Sequence, residues 1–444
     1  MARDLTRIGE KARREPKTVF TSIYHYVTDV DHLRACYEGI ERGKAPGIDG
    51  VTKEAYGKRL ESNLADLSQQ LARQGYKPNP ALRTYIPKAG STALRPLGLQ
   101  CFEDKVVQKS MAEVLGEIYE ADFLDCSYGY RPESTCHGAL DSLGRTIQQQ
   151  KINIVVEADI KGFFDHVNWE WLIRFLEVRI GDKRILKLIE RLLKAGIMEG
   201  GLERASTEGV PQGGVLSALL SNVYLHYALD LWFARRFRPQ CRGEAYLFRY
   251  ADDFVVCFQH QEEAEKFLLE LKERLGQFQL ELEPSKTKLL KFGRFAQRDA
   301  QREGKKPESF DFLGFTHHCD QTRNGHFKVK RRTSKKKYRA KLREMKEWLR
   351  KNRSKLPKGE LLRRAKAKLE GHLNYYAITD NRRMCQAYSY QVTQLLFKWM
   401  NRQSQRRSYT WERFFGALTW VGWPLTFRVR VRLNPCRSAV GSAK

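Results

Sequence analysis

Between residues 261 and 276 the chain reads QEEAEKFLLELKERLG, and apolar side chains return at Ala264, Phe267, Leu268, Leu271 and Leu275. That spacing gives one apolar face on a charged helix, with Gly276 as the expected stop. Elsewhere the pattern changes. INIVVEADI (152–160) is a nearly continuous apolar run rich in β-branched residues, which predicts a buried strand. Residues 246–251 and 254–258 read as paired strands, placing Asp252-Asp253 at the turn of a hairpin. Residues 82–99 read as two short strands around a Gly/Ser loop, and GKAPGIDG (43–50) as a loop. Helices are expected at 102–119, 133–150, 168–178 and 182–195. The segment 208–233 opens as a Gly/Pro turn and becomes a helix after Gly214.

The chain has 444 residues, 41% of them hydrophobic, enough for two or three domains with cores of their own. Its formal net charge is +28, a surplus that repels itself unless it meets a polyanion. Nucleic acid is the first candidate partner and an anionic membrane surface the second. The charge is concentrated. Residues 321–370 hold 21 Lys/Arg against 4 Asp/Glu. Within them, 334–353 carries an apolar stripe of Tyr338, Leu342, Met345, Trp348 and Leu349. The other faces carry Lys335, Lys336, Lys337, Arg339 and Arg343, so one face docks on protein while another meets phosphate. No run approaches the ~18 apolar residues that span a bilayer, and the N-terminus has no apolar signal-peptide core. A cytoplasmic protein without membrane contact is the expectation. Nine cysteines without a C-x-x-C pair read as reduced thiols. In THHCD (316–320), His317 and His318 point to opposite sides of a strand, which argues against a metal site.

Asp252-Asp253 raises a question of charge. Two adjacent carboxylates repel, burial adds to the cost, and a primed two-residue turn favours Asn-Gly or Asp-Gly. A hard divalent cation such as Mg²⁺ removes the electrostatic objection. Asp159 ends the strand 152–160, so if that strand lies beside the hairpin the acidic residues meet at one edge of a sheet. Two metals held there serve nucleotidyl transfer, in which positioning and charge neutralisation do most of the work.

Tyr250-Ala251-Asp252-Asp253 resembles the Tyr-x-Asp-Asp box of reverse transcriptases, and roughly residues 40–400 resemble the group II intron-encoded reverse transcriptases, or maturases, with blocks in the family's order. The resemblance implies an α+β right-hand polymerase with fingers, a palm with an antiparallel sheet, and a helical thumb or X domain. YIPKAGSTALRPLGL looks like the fingers hairpin, whose Lys88 and Arg95 would hold the incoming triphosphate. SYGYRPESTCHGAL (127–140) is similar to the next block. ADIKGFFD supplies Asp159 as a metal ligand beside the main chain of Ile160, and Phe164 as the gate against a 2′-hydroxyl. GVPQGGVLSALLSN supplies Gln212 and Gly213 at the nucleotide, with Gly214 for close backbone approach; LEPSKTKLL supplies Lys286 near the pyrophosphate. FDFLGF (310–315) looks like the primer grip, with Phe312, Leu313 and Gly314 at its turn, and GHLNYYAITDN (371–381) resembles a thumb block. Taken singly, most of these are ordinary: a helix-opening turn, solvated charges, core phenylalanines. Their joint order carries the likeness. Ser217-Ala218-Leu219 stands where the family usually has Ser-Pro-Leu, and Gln100 and Lys105 stand where it usually has Pro and Arg.

The implied organisation is a basic helical extension at 1–40, fingers and palm at 41–315, thumb at 316–400, and a short basic, aromatic, nucleic-acid-binding end at 401–444. The implied activity is RNA-directed DNA synthesis with two Mg²⁺ ions, Mn²⁺ being the expected substitute. Implied partners are an RNA template or intron RNA, a DNA primer or target DNA, and dNTPs. Two alternatives stand beside it: a free-standing domesticated relative in phage defence or DNA repair, and a protein that acts mainly as an RNA-binding splicing cofactor.

Overall fold

The structure, a computed structural model, describes residues 4–87, 94–402 and 409–433. The chain sorts into two compact units. The first gathers Met1–Pro87, Ala93–Thr135 and Ala158–Leu289; the second is built chiefly from Cys136–Glu157 and Leu290–Lys444. This differs from a division at residue 315. The helix Cys136–Gln149 joins the second unit because the Arg331 guanidinium donates to the Leu140 carbonyl and the Val329 N–H to Gln148. Gly293 approaches the Ile152 carbonyl so closely that a Cβ there would stand 2.1 Å from its oxygen. Nor do residues 1–40 form a separate extension. The buried Arg179 donates to the carbonyls of Ala12 and Pro16, and the Phe20 N–H donates to the Arg179 carbonyl.

The first unit carries a four-stranded sheet ordered Leu94–Leu99, Ala81–Pro87, Ile197–Glu199, Leu202–Arg204. The long helix Phe102–Tyr119 buries Val106, Met111, Val114, Leu115 and Ile118 along its core faces. The helix expected after Gly214 runs Val215–Leu225 and continues through wider turns at His226–Asp230 and Phe233–Phe237. The helix Gln261–Gln277 does not stop at Gly276; the left-handed residue past its end is Gln279, at φ 58°.

A second four-stranded sheet has the order Ala245–Tyr250, Asp253–Phe258, Ile154–Asp159, Lys288–Lys291. Val155, Val156, Phe254, Val255 and Val256 are fully buried, which explains the unbroken apolar letters of these strands. The acidic end of this sheet, from Ala158 to Asp159 and across the hairpin, lies in the first unit.

Besides Cys136–Gln149, the second unit carries a three-stranded antiparallel sheet and the helices Ala296–Arg302, Lys335–Asn352, Lys358–Tyr376, Arg382–Met400 and Trp411–Trp420. In the strand Phe315–Gln321, buried and half-buried residues alternate. His317 faces inward, stacked on Phe310 at 4.7 Å. Among the described residues no helix is long and apolar enough to cross a membrane.

Candidate active site

The hairpin pairs Tyr250 with Asp253, so the two turn residues are Ala251 and Asp252. This corrects the expected register by one residue. Ala251 takes the left-handed conformation, φ 57°, and Asp253 becomes the first residue of the returning strand. A backbone conformation that disfavours a Cβ is thereby kept off both carboxylates. Gly129 explains how the turn is held. A Cβ at that position would lie 2.4 Å from the Ala251 nitrogen, so only glycine lets the 127–130 segment press against the turn. That segment runs parallel to the hairpin edge, with Tyr128 N–H donating to the Arg249 carbonyl and Arg249 N–H to the Cys126 carbonyl.

Asp159 reaches the same edge. Burial raises the Asp252 carboxyl above its ordinary range; the Asp159 charge adds to the rise, while Arg95 and Lys286 oppose it. The acidic residues therefore share one field. Lys286 donates from Nζ to Asp159 Oδ2 at 2.5 Å. It is presented by a tight turn in which Lys286 N–H donates to the Glu283 carbonyl and Ser285 Oγ to Glu283 Oε1. Burial pulls the Lys286 ammonium down, but its bond to Asp159 and that residue's charge win, and its pKa is raised. Ile160 opposes Leu282, and the flanking bonds are Lys161 N–H to the Glu281 carbonyl and Glu283 N–H to the Asp159 carbonyl. In that register Ile160's own carbonyl faces away from the 281–283 segment. Asp159, Asp252 and Asp253 offer oxygens of the kind a hard divalent cation prefers, but the three carboxylates do not all lie within 4.8 Å of one another, and the Lys286 ammonium already pairs with Asp159.

Of the expected nucleotide-side residues, Arg95, Phe164, Gln212, Gly213 and Lys286 belong to the first unit. Phe163 is buried, and Phe164 stands half-buried beside it at 5.4 Å. The Val210 N–H donates to the Phe164 carbonyl, which ties Phe164 to the loop carrying Gln212 and Gly213. That loop is tied in turn to the strand of Arg95, since Gly98 N–H donates to the Gln212 carbonyl at 2.9 Å. Gly213 has φ 111°. A Cβ on Gly214 would lie 2.8 Å from both Gln100 Nε2 and Gln108 Oε1, which hydrogen-bond each other beneath it. Gln100, a departure from the family's usual proline, therefore has a buried partner. Arg95 is exposed, and Lys88 lies outside the described residues.

Phe312, Leu313 and Gly314 belong to the second unit. Phe312 pairs with Phe315 across a two-residue turn in which Leu313 and Gly314 both have positive φ. Leu313 is a bulky residue in a conformation that costs ~1–3 kcal/mol. The thumb-like block holds it: Tyr375 Oη donates to the Leu313 carbonyl at 2.8 Å, and a Cβ on Gly314 would meet Tyr376 Oη at 2.9 Å. Lys335, Lys336, Arg339 and Arg343 are exposed on the helix Lys335–Asn352, and Lys337 is half-buried.

Sequence reasoning missed the residue under the turn. Arg249 is fully buried, and all five of its guanidinium N–H groups are used. Nε donates to Asp230 Oδ1 at 2.7 Å and Nη2 to Asp230 Oδ2 at 2.5 Å. Nη1 donates to Asn222 Oδ1 at 2.9 Å and to the Ala251 carbonyl at 3.1 Å, and Nη2 to Ser127 Oγ at 2.7 Å. Asn222 donates onward to the Gly129 carbonyl at 2.6 Å. One planar cation thus links the catalytic-turn candidate, the segment pressed against it and a core helix. A signal was present in the letters: Arg249 and Asp230 each interrupt an apolar run, which is costly unless the two meet.

Residues 86–317, just over half of the chain, match the reverse transcriptase (RNA-dependent DNA polymerase) family, and the chain belongs to that family. Its fold is of the α+β right-hand polymerase class, and members of the family use divalent metal ions. Within it the chain is similar to the group II intron-encoded protein LtrA of Lactococcus lactis, at 35% identity over 222 residues, 50% of this chain and 37% of that protein. It is also similar to protein YkfC of Escherichia coli, at 37% identity over 48% of this chain and 62% of the relative. A putative COX1/OXI3 intron 2 protein of Saccharomyces cerevisiae is 30% identical over 53% of this chain and 27% of its own length. The aligned regions cover from about a quarter to under two thirds of these relatives.

Proposed function

We propose that this chain is an RNA-directed DNA polymerase that also binds structured intron RNA. The observation that carries the reading is the electrostatic coupling of Asp159 to Asp252 at the hairpin turn, with Lys286 on Asp159 and the charge of Arg95 acting on Asp252. In the proposed reaction the primer 3′-hydroxyl oxygen attacks the α-phosphorus of a dNTP. A new P–O bond forms, the bond from the α-phosphorus to the oxygen bridging to the β-phosphate breaks, pyrophosphate leaves with that electron pair, and the hydroxyl proton passes to solvent. Asp159, Asp252, Asp253 and the Ile160 carbonyl would hold two Mg²⁺ ions, with Mn²⁺ as a substitute. Bound there, such ions supply charge neutralisation at the attacking and leaving oxygens.

The chain's own groups do the rest. Arg95 and Lys286, with Lys88 by family likeness, offset charge on the triphosphate. Phe164 walls the sugar position, where an aromatic face rejects a 2′-hydroxyl by contact. Gln212 and Gly213 line the nucleotide's other side, on a loop tied to Arg95's strand.

RNA binding rests on the second unit. Three lysines, 335 to 337, fill the first turn of an 18-residue helix, where the macrodipole disfavours cations. Phosphate bound at that turn would be favoured by both the ammonium groups and the helix end.

The test is dTMP incorporation on poly(rA)/oligo(dT) with added Mg²⁺. Wild type should extend the primer only with the divalent ion present. Asp252→Ala with Asp253→Ala should abolish extension while leaving thermal unfolding intact. Extension retained by the double variant refutes the site.

A further inference from the structure

Three helices of the second unit enclose a cavity that the polymerase reading does not use. Its volume is about 360 Å³, and its lining includes Lys341, Lys368, Gly371, His372, Tyr375 and Tyr388. Ligand cavities start at about 300 Å³, so this one suits a single small planar group rather than an extended one.

Each wall has a chemical character. His372 is buried and stacks on Tyr388, with ring centroids 3.7 Å apart and planes 18° apart. Tyr376 closes behind it at 4.6 Å. Both ring nitrogens of His372 are buried and have no hydrogen-bond partner in the protein. A buried imidazole edge of this kind is costly to leave unmatched, and native proteins rarely do so without a ligand or water. Burial, helped by the Lys341 charge, pushes its pKa down to about 3, so at neutral pH it offers one donor and one acceptor, not a charge. Charge in the lining comes from Lys341, which donates to Glu344 Oε2 at 2.9 Å within the same lining, and from Lys368, which carries the net positive charge.

Gly371 is the second observation. It lies inside the helix Lys358–Tyr376, where glycine costs stability relative to alanine. Yet a Cβ there would meet nothing within 4 Å. No packing in the protein requires the glycine, and it faces the cavity. Glycine at such a position lets a ligand approach the backbone closely.

We propose that this cavity takes one unstacked nucleotide of a bound RNA. The base slides against the Tyr375 and Tyr388 rings and meets the His372 edge, while Lys341 and Lys368 hold the flanking phosphates. Single-stranded RNA is read in this way, by splayed bases on aromatic rings with hydrogen bonds to their edges. The inference rests on the RNA-binding reading above and deepens it, since basic helices alone would bind any RNA backbone.

The experiment compares two hairpin RNAs by fluorescence, one with a single bulged 2-aminopurine and one fully paired. Wild type should bind the bulged RNA more tightly and quench its fluorescence. Gly371→Leu fills the cavity while improving helix propensity, so its melting temperature should hold or rise. It should lose about tenfold in affinity for the bulged RNA and nothing for the paired one. His372→Phe keeps the stack, removes the polar edge, and should weaken the bulged RNA severalfold. Unchanged preference for the bulge in Gly371→Leu overturns the proposal. So does an equal loss on both RNAs, which would mark the surface as a phosphate track. Competition by free AMP at equal affinity would move the assignment from RNA to a free nucleotide and overturn it as stated. Failure of wild type to bind either RNA would sink the RNA-binding reading as well, while primer extension, measured alongside, reports on the polymerase separately.

Discussion

Replacing Arg249 by lysine should separate stability from catalysis at the hairpin turn. The guanidinium makes five hydrogen bonds in a fully buried setting, two of them to Asp230 and one to the Ala251 carbonyl. A lysine ammonium offers three donors, so at least two acceptors lose their partner. Each buried acceptor left unmatched costs ~1–3 kcal/mol, which gives ~2–6 kcal/mol in all. Within the ordinary range of ~5–15 kcal/mol, a protein more stable than about 6 kcal/mol survives that loss. The lysine will follow the charge of Asp230 and release Ala251, whose left-handed backbone then relaxes. Asp252, the next residue, loses its fixed position. Primer extension across a Mg²⁺ series, with urea unfolding in parallel, reads both effects. The variant should be destabilised, its kcat should fall by about tenfold or more, and its Mg²⁺ midpoint should rise several-fold. Ser127→Ala is the control, because the Ser127 hydroxyl accepts from the same guanidinium and makes no bond to Ala251 or Asp252. It should cost about 1 kcal/mol and leave the Mg²⁺ midpoint where it was. A destabilised Arg249→Lys protein with wild-type kcat and an unmoved Mg²⁺ midpoint would refute the idea that this cation positions the carboxylates.

Two further outcomes follow from the charges of the first unit. In Lys286→Met the ammonium no longer competes with a cation for Asp159. The pair is partly exposed, 60% and 23%, so its strength is ~0.2–1 kcal/mol. Mg²⁺ binding without nucleotide, followed by calorimetry, should tighten about 1.5- to 5-fold, while the KM for dNTP rises; weaker binding would contradict the pairing. Glu103 and Asp104 give a pH dependence. Burial, with Asp104 and other nearby acids, pushes Glu103 from 4.5 up to about 7, and burial, against bonds from Tyr76 and Asn79, pushes Asp104 from 3.8 up to about 6. Both carboxyls hold protons more tightly folded than unfolded, so unfolding free energy falls as pH rises from about 4 to about 7. Glu103→Gln should flatten that fall and gain about 2–3 kcal/mol above pH 7, measured by urea unfolding at pH 5 and pH 8; an unchanged slope would exclude Glu103 as its source.

Local pattern was enough for much of this chain. The apolar stripe of 261–275, the β-branched run before Asp159 and the basic helix after Ser334 each appear as strand or helix where their spacing says they should. Spacing reports side-chain faces, and faces are set by neighbours a few residues away. The Asp pair was legible for the same reason, as charge placed between two apolar strands. Tertiary structure decided what depends on distant partners. It chose Ala251 rather than Asp253 for the turn, because Gly129 and Arg249 grip the backbone from segments remote in sequence. It moved the helix Cys136–Gln149 into the second unit through bonds to residues some 180 to 190 positions away. It also gave Arg249 its role, since its partners Asp230, Asn222 and Ser127 lie 19, 27 and 122 positions off. A buried charge is tolerable only when its counter-charge arrives, and a linear pattern marks the cost of the burial without naming the partner that offsets it.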